Sequence, residues 1–118
     1  MPHFPQAQTK TRSPRVRVPN EESIRFNIGG RLVSAILHRI SLTGGLAQFT
    51  GSLGDVTIAE ARFNTASGPV SGLVEFLRPQ QKTDPHTYPF RFLALSDADH
   101  RRLQATLQAM RKLGLGEP

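Results

Sequence analysis

The chain has 118 residues, enough for one domain with a single core, and its lack of cysteine excludes disulfides, thiolate zinc sites and a cysteine nucleophile. Fifteen lysines and arginines against nine acidic residues give a formal charge of +6, which favours an acidic partner: a nucleotide, nucleic acid, anionic lipid or an acidic protein surface. No apolar run approaches the ~20 residues of a membrane span and the N-terminus has no apolar signal-peptide centre, so a soluble, cytoplasmic protein is expected.

Residues 1–20 carry Pro2, Pro5, Pro14 and Pro19 together with Lys10, Arg12, Arg15 and Arg17, and no acidic residue precedes Glu21. This composition predicts an extended, flexible basic arm. Ile24, Phe26 and Ile28 then alternate with polar residues, and Gly29-Gly30 supplies a two-residue hairpin turn into a strand from about Arg31 to Ile40. That second strand is apolar on both faces, with Leu32, Ile36 and Ile40 on one and Val33, Ala35 and Leu37 on the other, which predicts a covering layer such as a helix.

Further strands are predicted at Leu46 to Phe49, Val56 to Phe63, Val70 to Leu77 and Phe90 to Leu95, separated by the loop Gly51 to Gly54, the turn Ser67-Gly-Pro69 and the polar stretch Pro79 to Pro89. One helix over about 96 to 113 closes the chain. Ser96 is its N-cap, Asp97 and Asp99 suit the positive end of its dipole, Arg111 and Lys112 suit the negative end, and Gly114 is the C-cap. Leu103, Leu107, Met110 and Leu113 form its apolar stripe. Six short strands and one amphipathic helix predict an all-β class with one helix, a six-stranded antiparallel barrel. The arm would span 1–20, the barrel and helix 21–113, and a tail 114–118.

The stretch Arg39-Ile-Ser-Leu-Thr-Gly-Gly45 ends a strand in a turn downstream of the basic arm and points to anion binding. Arg39 and Ser41 lie two apart, on one strand face, and Gly44 and Gly45 allow turn geometry and close approach. Ser41 can meet a ligand or cap its own turn, and Arg39 can hold an anion or pair with a strand carboxylate such as Glu75. The four histidines are scattered without metal-ligand spacing, and Ser41 lacks a nucleophile elbow, so neither a metal site nor catalysis has positive support. Seven phenylalanines and one tyrosine sit mainly at alternating strand positions, as core residues do, which argues against single-stranded nucleic-acid binding.

The order of these features resembles the PilZ domain family. The resemblance runs from about Lys10 to Lys112 and rests on the arm Lys-Thr-Arg-Ser-Pro-Arg-Val-Arg-Val-Pro, on Ile-Ser-Leu-Thr-Gly-Gly-Leu-Ala, and on Phe-Arg-Phe-Leu-Ala-Leu-Ser-Asp-Ala-Asp at the helix start. It implies a six-stranded barrel with a C-terminal helix and binding of cyclic di-GMP as ligand, with no enzymatic activity and no cofactor. The family's binding motifs are two arginines separated by three residues, and Asp or Asn, one residue, Ser, two residues, Gly. Arg15 fits the second arginine, with Arg12 beside the position of the first, which is Thr11. Ser41 and Gly44 match the second motif, and Arg39 stands where Asp or Asn is usual. Arg12, Arg15, Arg39, Ser41 and Gly44 are therefore the expected ligand-binding residues. The alternatives are a PilZ-like barrel that has lost the dinucleotide and serves as a protein-interaction module for an unidentified partner, and a basic barrel that attracts nucleic acid by charge.

Overall fold

The computed structural model describes residues 2–3, by backbone alone, together with 16–18, 22–78 and 86–116. Two short strands, β1 (Pro2–His3) and β2 (Val16–Arg17), precede β3 (Ser23–Ile28), β4 (Arg31–Ile40), β5 (Gly44–Gln48), β6 (Ile58–Thr65), β7 (Gly68–Phe76), β8 (Thr87–Ser96) and the helix α1 (Asp97–Lys112). Strands β3 to β8 close on themselves in the order β3-β4-β5-β8-β7-β6, with β6 returning to β3 and every pair antiparallel. This is the six-stranded barrel with a C-terminal helix that the strand count predicts. The flanking strands attach outside the ring, β1 to the end of β8 and β2 to the end of β4.

Local chemistry sets the corners. Gly29 and Gly30 have φ of 59° and 88°, so both central residues of the β3–β4 turn lie where a side chain is strained, and Asn27 Oδ1 accepts from the Gly30 amide at 3.0 Å. The β6–β7 corner falls at Ala66 and Ser67, leaving Gly68 and Pro69 as the first residues of β7 rather than turn residues. At α1, Ser96 Oγ accepts from the Asp99 amide at 3.1 Å and lies 2.6 Å from Asp99 Oδ2. Gly114 (φ 82°) is one residue past the C-cap, which is Leu113, and takes the left-handed conformation common there.

The core is aromatic at one level and aliphatic around it. Phe26, fully buried, packs against the rings of Phe76, Phe49 and Phe90 at centroid distances of 4.9, 5.3 and 5.7 Å. Leu103 and Leu107 of α1 are buried, and the helix rests on β7 and β8. Arg102 reaches Asp99 Oδ1 at 3.3 Å, and Thr106 Oγ1 meets Ser67 Oγ at 3.1 Å.

Three further expectations change. The double-sided apolar pattern of β4 does not mark a covering helix: Leu32 is 71% exposed, whereas Ala35, Leu37 and Ile40 are buried. A register shift between Leu37 and Arg39 inserts one residue, so Ile40 turns to the same interior as Leu37 despite their odd spacing. Leu113 does not continue the helix stripe but is 77% exposed, because the chain turns at Gly114 and Leu115 packs against the core instead. The last strand begins at Thr87 rather than Phe90, and Tyr88 packs its ring against Phe49 at 5.7 Å while its hydroxyl accepts from the Leu53 amide at 3.1 Å.

Candidate functional site

The candidate site lies where β4 ends and β5 begins, beside β2. Ser41 is buried, and its Oγ accepts from the amides of Thr43 and Gly44, each at 3.2 Å, with the Gly44 carbonyl also 3.2 Å away. The Ser41 amide donates to the same carbonyl at 2.7 Å. Of the two roles open to Ser41, the turn-capping one is present, and it fixes the backbone from 41 to 44.

Gly44 and Gly45 belong to β5, and neither takes a positive φ. Their lack of a side chain serves close packing rather than turn geometry. A Cβ on Gly44 would run into the Phe90 carbonyl oxygen and come within 2.8 Å of Arg91 Cα; one on Gly45 would lie 2.5 Å from the Arg39 carbonyl oxygen and 2.8 Å from Phe90 Cζ. The two glycines let β5 sit tightly between β4 and β8, which sets the level of Arg39.

Arg39 is half-buried, opposite Leu46 of β5 on one side and Arg17 of β2 on the other. Glu75, the carboxylate considered for Arg39, accepts from Arg91 Nε at 2.6 Å. His38, at the register shift, has its Nε2 2.7 Å from Gln48 Oε1, and its carbonyl accepts from the Val18 amide at 2.8 Å. Arg12 and Arg15 lie outside the described residues. The structure therefore brings Arg39, Ser41 and Gly44 together and adds Arg17, which the sequence motifs did not single out. Alternation of Val16 with Arg17 was the available signal, since a buried Val16 sends Arg17 to the other face.

No protein-family model matches the chain, and no curated protein matches it significantly. Among solved structures, the chain is similar to the PilZ domain with c-di-GMP of YcgR from Escherichia coli, with a TM-score of 0.62 and 16% sequence identity over 90% of this chain and 95% of that one. No helix among the described residues is long and apolar enough to cross a membrane. The closed ring of β3 to β8, capped by α1, is a PilZ-like fold.

Proposed function

We propose that this chain is a PilZ-like signalling module that binds cyclic di-GMP through Arg12 and Arg15 of the arm and the turn from Arg39 to Gly45, and passes its state to a protein partner without catalysing a reaction. The observation that carries this reading is the likeness of nearly the whole chain to a PilZ domain solved with c-di-GMP, joined to the Ser41–Gly44 turn at the end of β4. Forked guanidinium groups suit the ligand's two phosphates and the O6 and N7 acceptors of its guanines. Ser41 acts by holding the turn, Gly44 and Gly45 keep the strands close, and Arg39 supplies a cation where relatives of this fold offer an acceptor. Nucleotide bridging the arm and the turn would join them into one new surface for a partner.

Arg39 also favours a second reading. Guanine's N1–H and exocyclic amine require an acceptor, and a guanidinium has none, so a barrel that no longer takes the dinucleotide and acts only as an interaction module is the rival. Calorimetric titration of the chain with cyclic di-GMP and with GMP separates the two. A dinucleotide site binds the first clearly more tightly; absence of heat for both at millimolar ligand supports the interaction module.

A further inference from the structure

We propose that Arg17 and Arg39 form a single phosphate clamp, which adds Arg17 to the residues that hold ligand and makes this face of the site read phosphate rather than a guanine edge. The proposal rests on the nucleotide-binding reading and specifies its chemistry. Arg17 lies directly opposite Arg39 in the antiparallel β2–β4 ladder, and Val16 directly opposite Ile40. Residues paired in this way put their side chains on one face, with Cβ atoms roughly 4.5–5.5 Å apart. Val16 and Ile40 are buried, so both point inward, and Arg17, which is exposed, leaves the outer face beside Arg39.

The backbone under Arg17 is fixed on both edges. Its amide donates to the Leu115 carbonyl at 3.0 Å, Val16 bridges Gly116, and the Val18 amide donates to the His38 carbonyl at 2.8 Å. The buried Val16 and the hydrogen bonds on both edges hold the two residues side by side. Two planar donor forks carried at one level of the sheet match the oxygens of a phosphate. They offer no acceptor to the donor edge of guanine, so the ligand group placed here is a phosphodiester or diphosphate anion.

The test titrates the whole chain and its Arg17→Gln variant with cyclic di-GMP and with inorganic pyrophosphate, and melts both proteins without ligand. The clamp predicts that Arg17→Gln weakens both ligands by about tenfold, the equivalent of ~1.4 kcal/mol, while the ligand-free melting temperature stays level, since Arg17 is exposed. Arg17→Lys, which keeps stem and charge but loses the fork, should fall between; it also decides the matter should the glutamine variant melt early. Equal binding of cyclic di-GMP by all three proteins overturns the clamp and leaves the nucleotide reading standing. If pyrophosphate binds as tightly as cyclic di-GMP and the variant weakens both, the clamp holds and the dinucleotide reading falls. Binding of neither ligand by the wild type overturns both.

Discussion

Val16 lies directly opposite Ile40 across the β2–β4 pair, and the two are 0% and 3% exposed, so a residue at the end of the basic arm is also part of the barrel core. The coupling has a direct consequence for stability and for the site. Val16→Ala removes two buried methyl groups and should destabilise the fold by about 1.5–3 kcal/mol, read from the urea midpoint. Exchange of the Arg17 amide should quicken in the same variant, because its bond to Leu115 depends on β2 staying seated. An unchanged midpoint would mean that β2 is not docked in solution.

Leu107 tests the docking of α1. It is buried against the barrel, and Leu107→Ala should cost about 2–5 kcal/mol, whereas Leu113→Ala, at an exposed position, should stay within about 0.5 kcal/mol of wild type. Equal effects at both positions, measured by chemical denaturation, would contradict the observed turn at Gly114.

The glycines make a similar contrast. Gly44→Ala would force a Cβ into the Phe90 carbonyl and should destabilise by at least about 2 kcal/mol, while Gly51→Ala, where a Cβ meets nothing within 4 Å, should be close to neutral. Melting temperatures of the two variants suffice. A neutral Gly44→Ala would show that β5 and β8 are further apart than described.

These positions also show how far the sequence could be read. Gly29-Gly30 and the Ser96 cap were legible because a two-residue turn and a helix start depend on residues within a few positions of each other. The face of Ile40 was not, since a bulge breaks strict alternation without leaving a mark in composition. The reason for Gly44 and Gly45 lay in the passage of β8 beside them, a tertiary contact. Strands β1 and β2 are two residues long, too short for any periodic pattern, and exist only through their partners. At the site, Ser41 and Gly44 carried a local motif, whereas the placement of Arg17 opposite Arg39 came only with the strand register.

Arg39→Asp separates two chemistries. Placed opposite Arg17, an aspartate puts a carboxylate acceptor at the position that now carries a guanidinium. If Arg39 holds phosphate, the same variant should bind cyclic di-GMP more weakly by about 1.5–3 kcal/mol. Tighter binding by the variant, in calorimetry, would show instead that the site awaits an acceptor for guanine.

The central claim is that the arm and the β4–β5 turn close together on cyclic di-GMP. Backbone amide spectra of the full chain during titration with that ligand test it most directly. The account predicts saturable shifts confined to the arm, including Arg12, Arg15 and Arg17, and to residues 39–45, with the β6–β7 hairpin unmoved. No shift at millimolar ligand, or shifts spread evenly over the basic residues of the helix as well, would contradict it.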